Sequence, residues 1–180
     1  MAELIARFGP YGWGVHEPGA ALLRAVVGQQ IGNAQARARF ARLEAEGFLD
    51  LEKMVAAGPE RLRQLGFSRT RARTLLGVAE LGRSGVLAGL DLMSDQEVRA
   101  LVLPVFGIGP WTADMLLIFG LGRLDVWPVT DLGLRVGVAM SYPEEQPLAL
   151  GERFAPYRSA AAWYFWNLAD QNQRVKLNKP

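Results

Sequence analysis

Two short turns carry the residues whose types and spacing could do chemistry. The first reads Gly107-Ile108-Gly109-Pro110-Trp111-Thr112. Two glycines one residue apart permit positive φ and the close approach of another backbone, and the amides at the start of the helix that Pro110 opens attract an anion. A phosphate could therefore bind the amides of Gly107 and Gly109, with the Thr112 hydroxyl nearby. An ordinary helix–helix turn explains the same pattern, so both interpretations stay open.

The second turn reads Trp127-Pro128-Val129-Thr130-Asp131 and precedes another predicted helix. Pro128 restricts the backbone before it, and either Thr130 or Asp131 can cap the helix that follows. In one interpretation Asp131 is only a helix cap. In the other it is a carboxylate fixed at the helix start and facing a cleft, where it could act in catalysis.

The amino-acid composition excludes several kinds of metal site and catalytic site. The chain of 180 residues contains no cysteine and one histidine, His16. Disulfides, thiolate zinc sites and cysteine-ligated clusters are therefore excluded, and a histidine-based triad is not expected. Most of the 20 basic residues are arginines, which permits nucleic-acid binding without proving it. No apolar run approaches the ~20 residues that span a bilayer, and no secretory signal is visible, so a cytoplasmic protein is expected.

The apolar residues recur at helical spacing on both sides of these turns. No segment alternates with period two, so the sequence predicts an all-α protein without a sheet. A break at 28–32 is predicted to separate two helices within 19–46, with Asn33 as the N-cap of the second. Further helices are predicted at 50–56, 60–65, 70–83, 94–103, 110–120, 131–140, 147–154 and 157–170, and residues 176–180 are expected to fray.

Four ordered motifs resemble a known superfamily. They are FGIGPWTADMLLIFGLGR at 106–123, DVWPVTDLGLR at 125–135, VVGQQI at 26–31 and APYRSAAAWYFW at 155–166. On these motifs the chain is similar to the helix–hairpin–helix (HhH-GPD) DNA glycosylase superfamily, and within it to the alkylpurine branch, 3-methyladenine DNA glycosylase II. The resemblance implies a single glycosylase core over 1–180, built as a two-lobed helical bundle with a cleft between the lobes and the hairpin at about 101–120. The N-terminal β-rich domain of longer relatives is expected to be absent.

The resemblance also implies a role for individual residues. Asp131 falls on the catalytic aspartate of the family. The residues expected to bind DNA are Gly107, Gly109, Thr112, Gln30 and Ile31, the last two because the family plugs the gap left by the extruded nucleotide there. The substrate-base pocket is expected to contain Trp111, Trp166, Met115 and Trp127. A hairpin cation, Na⁺ or K⁺, would be bound by the main-chain carbonyls of Leu103, Val105 and Ile108.

Several of these residues have a structural alternative. Ile31 can equally be a core residue, and Trp127 can serve packing together with Trp163 and Tyr164. A group of arginines can either contact phosphate or form a solvated helix face: Arg61, Arg63, Arg69, Arg71 and Arg73. Two residues depart from the family pattern, since Phe106 replaces a proline and Thr130 replaces an acidic residue.

The activity implied by the resemblance is that of a monofunctional DNA glycosylase of base excision repair. Such an enzyme flips a nucleotide out of the duplex and hydrolyses the N-glycosidic bond of alkylated purines such as 3-methyladenine and 7-methylguanine. Trp111 stands where lyase-active relatives carry a Schiff-base lysine, so no lyase activity is expected. The expected partner is double-stranded DNA containing alkylated bases. The protein is expected to act as a monomer associated with the nucleoid, and no membrane partner is expected. Neither a required cofactor nor an iron–sulfur cluster is expected. The alternatives are a glycosylase for other damaged bases and a non-catalytic helix–hairpin–helix module that only binds DNA.

Overall fold

The computed structural model describes the backbone of residues 1–177 and the side chains of residues 1–172. Within that range the chain is helical and contains no strand, as the sequence predicts. The helices are α1 (Ala2–Phe8), α2 (Pro18–Gly28), α3 (Asn33–Ala45), α4 (Leu51–Gln64), α5 (Arg69–Arg83), α6 (Asp95–Val102), α7 (Pro110–Met115), α8 (Leu132–Ser141), α9 (Pro147–Glu152) and α10 (Arg158–Leu177). A 3₁₀ segment (Val86–Leu92) follows α5, and a π-helical turn (Leu116–Gly120) extends α7. None of these helices is both long enough and apolar enough to span a bilayer.

Capping residues in the sequence set several of these boundaries. Ser94 and Glu97 form a capping box at the start of α6. The side chain of Ser68 accepts a hydrogen bond from the amide of Arg71 at the start of α5. α4 is interrupted at Gly58, whose φ of 71° and ψ of −178° lie outside the helical region. The predicted separation into two helical segments at this point is therefore confirmed.

The structure differs from the prediction at one helix cap, in two additional short elements and at the end of the last helix. α3 begins at Asn33 itself, and its N-cap is Gly32, which offers no side chain to cap the helix. No sequence pattern predicts α1 or the 3₁₀ segment, because elements of seven residues contain too few apolar repeats to give a clear period. α10 runs beyond residue 170 because no glycine or proline interrupts it before Pro180. It includes part of the segment expected to fray, and residues 178–180 lie outside the described residues.

The chain divides into two compact units, one of which comprises residues 15–122. α2 lies at the centre of this unit, because α3, α5 and α7 all pack against it. Leu22, Leu23 and Val26 on α2 are fully buried, and each such side chain contributes about 1.5–3 kcal/mol on burial. α7, the second helix of the predicted hairpin, is thereby fixed against the buried helix α2.

The other unit contains residues 1–14 and the chain from Arg123 onward. α8 and α10 approach closely at Gly137, where a Cβ would lie only 2.2 Å from the carbonyl oxygen of Phe165. Phe165 is fully buried in the core of this unit, and α1 packs onto the same long helix α10. The close contact of α8 with α10 fixes the start of α8, which directly follows the turn at 127–131.

Polar contacts anchor the segment that leads into that turn. Arg158 donates from Nε to Oδ1 of Asp125 at 2.8 Å and from Nη2 to Oδ2 at 2.9 Å. The hydroxyl of Ser159 accepts a hydrogen bond from the amide of Val126 at 2.9 Å and donates one to the carbonyl of Arg123 at 2.8 Å. These bonds hold the chain before Asp131 to the first residues of α10.

Candidate active site and nucleic-acid interface

Asp131 is the N-cap of α8, and two donors hold its carboxylate. Oδ1 accepts hydrogen bonds from the amide of Leu134 and from the indole Nε1 of Trp166, each at 2.7 Å. The first is the ordinary capping bond, whereas the second comes from α10 and has no part in capping. Asp131 is therefore both a helix cap and a partly buried carboxylate with a fixed orientation. The capping interpretation is therefore confirmed, whereas the catalytic role of Asp131 stays a prediction.

Gly133 allows the indole to reach this carboxylate. A Cβ at Gly133 would lie 3.1 Å from Cδ1 of Trp166 and 3.2 Å from Oδ1 of Asp131. Both separations are shorter than an ordinary van der Waals contact, so a side chain here would displace one of the two groups. The sequence analysis assigns no role to Gly133, because a glycine near a helix start gives no signal of the contact that it allows.

The two tryptophans of this unit that were predicted to line the base pocket differ in their surroundings. Trp127 donates from Nε1 to the carbonyl of Pro147 at 2.8 Å. Its ring lies 5.9 Å and 6.1 Å, between centroids, from the rings of Phe154 and Phe165. This environment favours the packing alternative for Trp127, since its polar and apolar parts both have partners within one unit. Trp166 instead directs its N–H to the carboxylate described above.

The loop between α6 and α7 lies against α5. Gly107 has a φ of 80°, and a Cβ there would lie 2.2 Å from Oγ1 of Thr74. A Cβ at Gly77 would lie 2.9 Å from Cγ1 of Val105. Gly107 is therefore required both by its left-handed backbone and by its contact with α5. It remains exposed and Gly109 is partly exposed, so the predicted phosphate-binding turn lies at the surface of its unit.

Gln29, which follows the last residue of α2, fixes this loop through hydrogen bonds from its side-chain amide. Its Nε2 donates hydrogen bonds to the carbonyl of Gly107 at 3.0 Å and to Oγ1 of Thr112 at 2.8 Å. Thr112 is only 1% exposed. The Thr112 hydroxyl thus has an internal partner, and its contact with a phosphate stays a prediction. Gln29 lies within the motif at 26–31, but the sequence analysis assigns it no role.

Arg71 holds Gln29 in turn. Its Nη1 donates to the carbonyl of Val26 and to Oε1 of Gln29, and its Nη2 donates to the main-chain oxygen of Gln29 at 3.0 Å. Burial, with a smaller effect of the neighbouring Arg39, lowers the pKa of Arg71 from its ordinary value. The guanidinium therefore serves an internal function, which corrects its assignment to a phosphate-binding or solvated face.

The two predicted plug residues follow Gln29 in the turn between α2 and α3. Gln30 is exposed and has a φ of 61°, a backbone conformation that costs a non-glycine residue about 1–3 kcal/mol. Ile31 is partly buried, and its amide donates to the carbonyl of Gly28 at 3.4 Å. Gln30 is therefore the more accessible of the two.

α7 carries the other two predicted pocket residues. Trp111 and Met115 are four residues apart and so lie on the same face of the helix. Trp111 is partly buried and Met115 is 7% exposed. Asp114, on the same helix, forms an ion pair with Arg99 of α6. This pair joins the two helices of the hairpin.

The three carbonyls predicted to bind a cation belong to the loop that joins these helices. The carbonyl of Val105 accepts a hydrogen bond from the amide of Ile108 at 3.0 Å, and a carbonyl oxygen has a second lone pair for a cation. Among the described residues, no group of three or more His, Cys, Asp or Glu could hold a metal ion. Main-chain oxygens such as those of Leu103, Val105 and Ile108 suit a hard monovalent cation.

The arginines of α4 and α5 do not form a uniform face. Arg61 and Arg63 each pair with a glutamate, at 2.6 Å and 3.0 Å. Arg73 instead places its guanidinium carbon 3.9 Å from the ring centroid of Phe106. Phe106 is 44% exposed on the hairpin loop. The residue that departs from the family pattern thus contacts an arginine beside the predicted phosphate-binding turn.

The chain is similar to known DNA repair proteins over most of its length. Residues 23–147 match the family model for the HhH-GPD superfamily base excision DNA repair protein. The chain is 35% identical over 181 residues to DNA-3-methyladenine glycosylase 1 of Schizosaccharomyces pombe, an alignment that covers 91% of this chain and 78% of the relative. It is 29% identical over 160 residues to DNA-3-methyladenine glycosylase 2 of Escherichia coli, covering 80% of this chain and 55% of the relative.

A solved structure is similar as well. The S. pombe 3-methyladenine DNA glycosylase Mag1, in complex with abasic DNA, superimposes with a TM-score of 0.82 and 31% identity, covering 92% of this chain and 88% of that one. The family model and these relatives each extend over most of the chain. The chain belongs to the HhH-GPD superfamily of base excision DNA repair proteins.

Proposed function

We propose that this protein is a monofunctional DNA glycosylase that removes alkylated purines, such as 3-methyladenine and 7-methylguanine, from double-stranded DNA. The similarity to a protein named DNA-3-methyladenine glycosylase over 91% of the chain supports this proposal. The observation in the site that carries it is the Asp131 carboxylate, which the Leu134 amide and the Trp166 indole hold through Oδ1. A module that only binds DNA has no use for a carboxylate oriented by an indole from another helix.

One carboxylate is enough because the leaving group is already charged. Alkylation at N3 or N7 makes the purine cationic, so the N-glycosidic bond breaks with little acid catalysis and its electron pair leaves with the base. Asp131 stabilises the oxocarbenium-like sugar or orients the attacking water. Because its orientation is fixed beforehand, the carboxylate needs no reorganisation as the positive charge develops. The base is neutral once it has left with this electron pair. Water then adds to C1′ and releases a proton to the solvent, which gives an abasic site.

Aromatic side chains suit a cationic base. Trp111 and Trp166 each offer an indole face, and stacking of a cation on such a face contributes about 0.5–2 kcal/mol. Trp111 has no amine with which to form a Schiff base on the sugar, so strand cleavage by the lyase route is not part of the proposal.

The hairpin and the turn after α2 provide the DNA contacts. The amides of Gly107 and Gly109 bind a backbone phosphate, a contact that carries no sequence information. The exposed Gln30 fills the gap left by the flipped nucleotide. Phosphate contacts offset the few kcal/mol that flipping costs. A monovalent cation would add positive charge next to this phosphate, bound by the carbonyls of Leu103, Val105 and Ile108.

Duplexes that each carry one alkylated, deaminated or oxidised base test the proposal. We expect release of 3-methyladenine and 7-methylguanine, with strand cleavage only after heat and alkali. Spontaneous strand cleavage and borohydride trapping would instead reveal a lyase. Release of only deaminated or oxidised bases would reveal a different specificity, and binding without any release would reveal a non-catalytic module.

A further inference from the structure

We infer that Gln29 is a positioning residue for DNA binding: held by Arg71, it fixes the hairpin turn in the conformation that receives a phosphate. Gln29 acts through Gly107 and Thr112 and not by contacting DNA itself. The inference rests on the proposed function, because the phosphate is that of the DNA substrate.

The two acceptors of the Gln29 amide lie on either side of the phosphate-binding turn. Gly107 belongs to the hairpin loop, and Thr112 belongs to the first turn of α7. Hydrogen bonds of 3.0 Å and 2.8 Å from the same nitrogen therefore fix the loop relative to the helix start. The two hydrogen bonds therefore orient the main-chain amides that lie between Gly107 and Thr112, including that of Gly109.

Gln29 can hold the turn because it is itself held at three points. Its amide donates to the carbonyl of Ala25 at 3.1 Å. Its carbonyl accepts from Nη2 of Arg71 at 3.0 Å, and its Oε1 accepts from Nη1 of the same guanidinium. A rigid fork with several donors can occupy both oxygens of Gln29, whereas the single ammonium of a lysine cannot do so in the same geometry.

The same residue also precedes Gln30, the exposed residue with left-handed backbone. The turn that carries Gln30 and the turn that carries Gly107 are thus joined by one side chain. Since both turns are expected to contact DNA, their relative position within the unit depends on Gln29.

Gln29→Met tests this inference, because methionine has nearly the same volume but cannot donate to either acceptor. We expect the Kd for a duplex containing a stable abasic-site analogue to rise about tenfold or more. The variant loses the two hydrogen bonds that hold the turn and also the bond that Oε1 accepts from the charged guanidinium of Arg71. The salt dependence of binding should stay unchanged, because neutral amides release no counterions.

Gln96→Met is the matched control. Gln96 is exposed on the first turn of α6, so the same chemical change should leave the Kd at the wild-type value. Thermal unfolding of both variants establishes that each is folded at the temperature of the binding measurement.

A double-mutant cycle with Thr112→Val identifies the route of the effect. If Gln29 and Thr112 act through their mutual hydrogen bond, Thr112→Val alone weakens binding, and the double variant binds no more weakly than Gln29→Met. If Gln29→Met does not fold, the Kd and salt dependence of Thr112→Val decide the question. A wild-type Kd in a folded Gln29→Met variant, or losses that multiply in the double variant, would overturn the inference. Failure of the proposed function is distinguishable, because the wild-type protein would then release no base while the binding comparison remained measurable.

Discussion

The indole Nε1 of Trp166 lies 2.7 Å from Oδ1 of Asp131 and donates a hydrogen bond to it. The same oxygen accepts the capping bond of α8, so one carboxylate oxygen joins the start of α8 to α10. Gly133 leaves the space that this contact needs. Asp131 caps α8, and in addition its carboxylate is oriented by a hydrogen bond from α10 that capping does not require.

Trp166→Phe removes the indole N–H and retains an aromatic ring. We expect single-turnover excision of 7-methylguanine to slow by about 10- to 100-fold, because a hydrogen bond to a charged group contributes about 1.5–3 kcal/mol. Trp163→Phe, on the same helix, is the control, since the ring of Trp163 contacts Tyr164 at a centroid distance of 5.0 Å. Equal rates for the two variants would show that the bond from Trp166 does not serve catalysis.

Gly133→Ala should separate activity from stability. Alanine is favoured over glycine in a helix by about 0.5–1 kcal/mol, so the thermal stability should be unchanged or slightly higher. The added Cβ displaces Trp166 or Asp131 by a few tenths of an ångström, and we expect a several-fold lower excision rate. Parallel measurements of thermal unfolding and single-turnover excision check both expectations.

Gly137→Ala on the same helix gives the opposite result. Its Cβ would lie 2.2 Å from the carbonyl oxygen of Phe165, which is backbone and cannot move aside. We expect the free energy of unfolding to fall by about 2 kcal/mol or more, as overpacking does. Urea denaturation of the two alanine variants would contradict this explanation if both were equally stable.

Arg73→Gln should lower the salt dependence of DNA binding. Arg73 stacks on the exposed ring of Phe106 beside the hairpin turn, so a phosphate contact there would contribute roughly one unit to the slope of log K against log salt. Arg61→Gln is the control, because Glu46 already pairs with Arg61 at 2.6 Å. Identical slopes for the two variants and the wild type would assign Arg73 to a solvated helix face.

Much of the fold follows from local sequence patterns. The capping box of Ser94 and Glu97 and the break at Gly58 are encoded within a few residues, so the sequence predicts them correctly. The end of α10 and the cap at Gly32 are harder to predict. No glycine or proline interrupts α10 before Pro180, and Gly32 has no side chain that would mark it as a cap. The division of the chain into two units has no local signature at all.

The candidate site is predictable where a residue type alone suggests the chemistry. Asp131 stands at a helix start and Gly107 stands in a turn. Residue type and position together therefore limit the roles that each can have, even without a structure. Gln29 and Arg71 escape prediction because their partners lie 42 to 83 residues away along the chain. The sequence does not predict the internal hydrogen bond of Thr112, because it does not reveal which side of a helix start is buried.

The ion pair between Asp125 and Arg158 should contribute to stability above about pH 4. The side-chain hydrogen bond from Arg158 lowers the pKa of Asp125 below its ordinary value of 3.8, against a smaller opposing effect of burial. The contribution is therefore fully present above the pKa of the unfolded state and is lost as the pH falls through the lowered pKa. The Asp125 side chain is 37% exposed, so solvent screening limits the effect to about 1 kcal/mol.

Asp125→Asn checks this pH dependence. Urea denaturation at pH 7 should show a lower free energy of unfolding for the variant, and the difference from the wild type should shrink as the pH falls below about 4. A difference that stays constant over this range would mean that the carboxylate charge does not stabilise the fold.

The excision rate of Asp131→Asn tests the proposed mechanism most directly. Asparagine retains an oxygen that can cap α8 and accept the hydrogen bond from Trp166, so the variant should fold with wild-type thermal stability and bind an abasic-site analogue no more weakly. It lacks the negative charge that stabilises the developing oxocarbenium ion. We therefore predict that single-turnover release of 7-methylguanine falls by about 100-fold or more. A folded Asp131→Asn variant that releases the base at the wild-type rate would contradict the assignment of Asp131 as the catalytic residue.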